Sequence, residues 1–175
     1  HASAGMLAPV TEAHYGEDRL LGLNRCGAER WPAFAGELEA ESGCPVGYRT
    51  CGSLLVALDA DDARVLDDLA AYLDRLGLDA EPLTGSQARA VEPALAPGVR
   101  RGLRVLGDHQ ADNRLLAEAL LAALAGRGVD VVRQAVRCIV VEDGAVAGVA
   151  LGDDTVLAAD RGLLAAGAWS AGIEG

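Results

Sequence analysis

The chain has 175 residues, 51% of them hydrophobic, which supplies a core of ordinary domain size and excludes a disordered segment. Its net charge of -11, from 15 basic against 26 acidic side chains, excludes a nucleic-acid partner, because phosphate recognition needs clustered Lys and Arg. Aromatic residues make up only 3%, too few for stacked recognition of bases or sugars, and no apolar run approaches the ~20 residues of a membrane span.

The first residues lack the basic-then-apolar pattern of a signal peptide. Cys26, Cys44, Cys51 and Cys138 form no CxxC pair and have no His at zinc spacing, so they are expected as reduced thiols of a cytoplasmic protein. With His1 at its start and Gly175 directly after a strand-like run, the chain is expected to be an excerpt of a longer protein.

Residues 16–42 are expected as helix, with Leu20, Leu23, Gly27, Trp31, Phe34 and Leu38 stepping by three or four along one face. Pro32 is expected to break it in two, starting the second piece where a missing N–H costs nothing. Gly43 is the expected left-handed cap. Over 48–58 the period changes to two, with Leu54, Val56 and Leu58 alternating with Ser53, Leu55 and Ala57 in a largely buried strand.

A helix follows at once. Asp59 is placed to cap it, Asp61 and Asp62 sit at the positive end of its dipole, and Val65, Leu66, Leu69, Tyr72, Leu73 and Leu76 form a stripe ending at Gly77. A short segment over 80–83, a helix over 86–91 stopped by Glu92-Pro93, and a strand over 99–106 complete a β-α-β-α-β block from 46 to 108. Residues 107–113 form a polar joint in which Asp112 caps a helix over 113–125, with Leu116, Ala119, Leu120, Ala123 and Leu124 as its apolar stripe.

Strands are expected over 129–133, 136–142, 146–151 and 155–158, three of them a meander turning at Asp143-Gly144, where both residues must take positive φ. The run over 162–166 reads as a final strand too apolar for a sheet edge, ending in small residues at Gly167-Ala168-Trp169-Ser170. An open parallel sheet presents backbone to a ligand in this way, in the crevice beyond its strands' carboxyl ends.

Several motifs occur in an informative order: Ser3-Ala4-Gly5-Met6-Leu7-Ala8-Pro9, Gly47-Tyr48-Arg49 leading to Gly52-Ser53-Leu54, Glu92-Pro93, Gly107-Asp108-His109-Gln110-Ala111-Asp112-Asn113-Arg114, and Leu164-Ala165-Ala166-Gly167-Ala168-Trp169-Ser170. In these the chain resembles the D-amino-acid-oxidase-type family of FAD-dependent oxidoreductases over essentially its whole length. The resemblance implies an α/β fold: a partial Rossmann-like FAD-binding domain with a β-meander, over 1–45 and 109–175, and part of an antiparallel-sheet substrate domain over 46–108.

It also implies cofactor contacts position by position. Ala4, Gly5 and Met6 would lie against the flavin ring, where small side chains let backbone N–H groups approach. Val136 would meet the adenine end through its backbone, and Ala166 and Gly167 would pass the ribityl and phosphate region with Trp169 packed behind them. The implied reaction is oxidation of glycine or another small amine to an imine with oxygen as acceptor, giving hydrogen peroxide and feeding thiazole synthesis for thiamine. A sarcosine, proline or D-amino acid oxidase or dehydrogenase stays open beside it, as does a homo-oligomer of the full-length protein.

The family's strand-GxGxxG-helix fingerprint is not in this sequence, and its substrate-binding arginine and tyrosine would lie beyond Gly175. The 175 residues alone are therefore expected to bind FAD weakly or not at all and to be a non-catalytic piece. Other readings are bland. Asp108, His109 and Asp112 could be a metal or acid/base cluster, but a polar joint with a capping Asp accounts for them. Gly5-Met6-Leu7 taken alone is as much a chain bend as a flavin contact. Ser53 and Ser170 have no His/Asp partners for nucleophilic catalysis, His1 and His14 read as solvated, and the acidic stretches as solvated helix faces.

Overall fold

A computed structural model describes residues 4–175; His1 and Ser3 lie outside the described residues. The chain divides into one unit ending at Val129 and a second beginning at Asp130. The first contains β1 (Met6–Leu7), α1 (Asp18–Ser42), β2 (Ser53–Ala57), α2 (Ala60–Arg75), β3 (Glu81–Thr84), α3 (Gly85–Val91), β4 (Arg101–Val105), β5 (His109–Gln110) and α4 (Asn113–Gly126). The second contains β6 (Val136–Glu142), β7 (Ala145–Leu151), β8 (Val156–Ala158) and a 3-10 turn, Gly167–Gly172.

In the first unit β4 is central, antiparallel to β2 on one side and to β3 on the other. Alternation along β2 sends Leu55 and Ala57 to the face covered by α2, with its Leu66, Tyr72 and Leu73. Leu54 and Val56 take the opposite face, against Leu83 and Ala88 beside α3. Both faces are thus dry, and full burial of Leu73 and Leu103 contributes about 1.5–3 kcal/mol each. Leu58, expected in the strand, lies outside it and is exposed.

Local signals set the helix starts. The Asp59 carboxylate accepts the Asp61 and Asp62 N–H groups at α2, and Asp112 accepts those of Arg114 and Leu115 at α4. Thr84 and Gln87 form a capping box at α3 that the sequence reading passed over. A third cluster joins Ala35 and Leu38 of α1 to Ala119 and Ala123 of α4, with Val46 beneath.

Helix α1 departs from expectation twice. It runs unbroken through Pro32, although an internal proline removes a hydrogen bond and crowds the preceding turn. Burial of Ala35 and Leu38 against α4, just beyond the proline, offsets that cost. Its buried stripe is also partly rotated: Leu38 is buried and Trp31 packs beside it as expected, but Leu21 and Ala35 face inward while Leu20, Leu23 and Phe34 are exposed. Gly43 ends the helix in the left-handed conformation, with φ 69°.

In the second unit β6, β7 and β8 form the expected meander, and Asp143 and Gly144 make its first turn with φ 50° and 77°. Two expected strands are absent. Residues 129–133 and 162–166 have no strand pairing among the described residues, and Leu163 is 93% exposed. Apolar composition cannot replace a neighbouring ladder of donors and acceptors. The free edge of β6 is instead met by Glu174, whose N–H donates to Arg137 O and whose carbonyl accepts Ile139 N–H at 2.7 Å. That single bridge is the one parallel pairing among the described residues, so the expected open parallel sheet is replaced by three antiparallel ones.

Among the described residues no helix is long and apolar enough to cross a membrane. All four cysteines are free thiols.

Candidate cofactor-facing site

The site in the first unit is built around β5. On one side β1 pairs with it, Met6 opposite Gln110 and Leu7 opposite His109, and the Ala111 N–H donates to Gly5 O at 2.9 Å. On the other side Arg49 and Gln110 exchange backbone hydrogen bonds of 2.8 and 3.1 Å, and the Asp112 N–H reaches Gly47 O at 3.2 Å. Three distant stretches of chain therefore lie edge to edge. Gly5, with φ +85°, is required here: a Cβ on it would stand 2.1 Å from the Ala111 carbonyl oxygen.

The polar joint is spent on structure. Asp108, fully buried, accepts the Val10 N–H at 3.0 Å and, on its other oxygen, the Thr11 N–H at 3.1 Å and the Thr11 hydroxyl at 2.6 Å. Asp112 is the α4 cap; the N–H groups of Leu115 and Arg114 hold its carboxyl below the usual range. Among the described residues no cluster of His, Cys, Asp and Glu could hold a metal ion.

Met6, 64% exposed, lines a cleft of about 410 Å³ with Leu7, Pro9, Glu12 and, from α1, Leu23 and Trp31. Trp31 stacks on Tyr48 at 6.3 Å between ring centroids, and the Tyr48 ring meets His109 edge-on at 5.7 Å. Tyr48 and His109 also line a larger cleft of about 850 Å³, shared with Arg25, Glu29 and Arg104. The Tyr48 hydroxyl and His109 Nδ1 are buried and lack hydrogen-bond partners, and burial pushes the Tyr48 phenol up. In the sequence Tyr48 stands out only within a motif and His109 only within a polar joint; their meeting across more than sixty residues carries no periodic signal.

Ala4, Gly5 and Met6 are thus presented together by one pinned segment of the first unit. In the second unit, Val136 opens β6 opposite Leu151, beside an irregularity in register before Cys138. Ala166 accepts the Trp169 N–H at the start of the 3-10 turn, and Gly167 has φ +56° with open space where a Cβ would project. Trp169, expected to pack behind them, is 73% exposed.

No curated protein sequence matches the chain. Among solved structures it is similar to the glycine oxidase of Geobacillus kaustophilus, with 27% identity and a TM-score of 0.89 over 98% of this chain and 46% of that one. It is similar also to the glycine oxidase of Bacillus cereus, with 25% identity and a TM-score of 0.86 over 97% and 45%. The iminodiacetate oxidase of Chelativorans sp. BNC1 gives 26% identity and a TM-score of 0.77 over 97% and 46%. The chain spans less than half the length of each of these proteins. The model of one family, FAD dependent oxidoreductase (DAO), matches residues 1–175. By that match over its entire length, the chain belongs to the FAD dependent oxidoreductase family.

Proposed function

We propose that the chain is part of an amine oxidase of the glycine oxidase kind, oxidising glycine or a similar small primary or secondary amine. The observation that carries this reading is the likeness to two glycine oxidases over nearly all of this chain. FAD, when bound, would accept a hydride from the amine's α-carbon and pass both electrons to oxygen, leaving an imine and hydrogen peroxide. Hydrolysis of the imine of glycine gives glyoxylate and ammonia; its capture for thiazole synthesis in the thiamine pathway is the expected biological use.

The residues present fit part of that cofactor. Gly5 and its neighbours offer side-chain-poor backbone on a strand held from one side, with Met6 projecting into a cleft. Gly167 offers open backbone at a positive φ. On this reading Ala4, Gly5 and Met6 hold the flavin ring, Val136 the adenine end, and Ala166 and Gly167 the ribityl and phosphate region, with Trp169 behind them. Residues 1–45 and 109–175 then belong to the FAD-binding domain and 46–108 to the substrate domain. The glycine-rich turn that anchors a pyrophosphate is not in this sequence, so these residues orient the cofactor rather than capture it. The four free thiols favour a cytoplasmic setting.

The iminodiacetate oxidase likeness favours a second reading, a sibling oxidase acting on a secondary amine, of which sarcosine and proline are simple examples. A panel of glycine, sarcosine, iminodiacetate, proline and D-alanine, given to the product of the complete reading frame with peroxide detection, separates the two. Peroxide with glyoxylate from glycine supports the first reading, preference for a secondary amine the second. A protein that takes up FAD and yields no peroxide from any of the five overturns both.

A further inference from the structure

Among the described residues Asp108 is the one buried residue with an ionisable carboxyl, amine or guanidinium group. A buried carboxylate is costly unless donors surround it, and here all three donors come from Val10 and Thr11, nearly a hundred residues earlier in the chain. Hydrogen bonds to an ionised acceptor are roughly twice as strong as neutral ones. The same short stretch then holds the rest of the segment: His109 and Gln110 pair with Leu7 and Met6, and Ala111 bonds to Gly5.

A ladder of two residue pairs specifies its own register weakly, and a slip of one residue exchanges the faces of a strand. Such a slip would turn Met6 inward and Leu7 out. An attachment beyond the ladder's end removes that freedom, because Val10 and Thr11 can reach Asp108 in one register only.

We propose that Asp108 is a positioning residue: its three hydrogen bonds to Val10 and Thr11 set the register of Met6–Leu7 against His109–Gln110, and so the direction in which Met6 is presented. The clamp stands on the geometry alone; its bearing on a flavin rests on the assignment of Ala4–Met6 proposed above. A carboxylate suits the task because it only accepts. An amide of the same size would turn its NH2 toward one of the two backbone N–H groups, Val10 or Thr11, and lose that bond.

Amide exchange in Asp108→Asn and Thr11→Val tests this, since both keep side-chain volume. Exchange at the Ala111 amide, bonded to Gly5, is expected to rise about tenfold in Asp108→Asn and by a smaller factor in Thr11→Val. The Gln110 amide, bonded to Arg49 on the opposite side of β5, should stay protected, as should amides within α2 and α4. An unchanged Ala111 amide overturns the proposal, and so does a uniform rise through α2 and α4, which marks general destabilisation. In the flavin-loaded protein of the complete reading frame, a shifted flavin absorbance in Thr11→Val connects the clamp to the cofactor. Faster Ala111 exchange with an unaltered flavin spectrum upholds the clamp and removes Met6 from the flavin.

Discussion

Two three-stranded antiparallel sheets in this chain differ in what holds them. The sheet of β2, β4 and β3 carries α2 on one face and α3 on the other, and Ala57, Leu103 and Val105 are almost completely excluded from solvent. The meander of β6, β7 and β8 has no α-helix in its own unit. It buries Ala150 and Leu151, while β8 is exposed throughout and Val141 is half-exposed. Alternating apolar residues suffice to pair strands, but burial on both faces requires a covering layer, which α2 and α3 supply to the first sheet. Hydrophobic burial dominates the first unit, and backbone pairing the second.

The two tryptophans can report on this difference separately, since Trp31 lies in α1 and Trp169 in the second unit. The largest effect is expected from Leu103→Ala, which empties the centre of the first sheet and should cost about 2–5 kcal/mol. With Trp169→Phe in the background, denaturant unfolding followed by Trp31 should record that loss. An equal loss seen by Trp169, in a Trp31→Phe background, would break the distinction between the units.

Gly148→Val should come next. A Cβ at Gly148 would stand 2.3 Å from the Leu157 carbonyl oxygen in the adjacent strand, so β7 and β8 must part at a cost of about 1–3 kcal/mol. Faster exchange of the Ala159 amide, bonded to Ala147 O at 3.1 Å, is the expected sign. Unchanged exchange there would mean that backbone pairing is not what holds the second unit.

The smallest effect is that of pH. Backbone N–H groups hold the Asp112 carboxyl below its usual range, and the hydrogen bond from Arg127 does the same for Glu41, linking α4 to α1. A folded-state value below the unfolded one stabilises fully above the ordinary carboxylate range and is lost as pH falls through the lowered values. Acidification should therefore lower the Trp31-detected melting temperature, and Asp112→Asn should flatten that slope. A slope unaltered by the substitution would sink the assignment.

How much was legible depended on the range of the forces involved. Asp59, Asp112, Gly43 and the Asp143-Gly144 turn act on neighbours within four residues, and each does what its local chemistry requires. The face of α1 was legible only in part: Trp31 and Leu38 pack as expected, but Leu20, Leu23 and Phe34 fit a helical period as well as Leu21 and Ala35 do. The close approach of α4, with Ala119 and Ala123 at the contact, selects Ala35, and the cluster around Tyr72 and Leu73 takes Leu21. The strand expected over 162–166 failed for the opposite reason: its composition was right, but a ladder needs a partner. Ala4–Met6 could be picked out by type, whereas the pinning of that segment by residues more than a hundred positions away could not.

Sequence alone determined the caps, the turns, the alternation of β2 and the family of the chain, since all of these are written in short-range patterns and in motif order. Tertiary structure alone decided which residues of α1 beyond Trp31 and Leu38 are buried, that Glu174 meets β6 while 162–166 forms no strand, and that Asp108 serves Val10 and Thr11 instead of a metal. The physical reason is that burial and hydrogen-bond satisfaction are properties of what arrives from elsewhere in the chain. A carboxylate surrounded by donors and a carboxylate awaiting a cation are the same residue until those donors are in place.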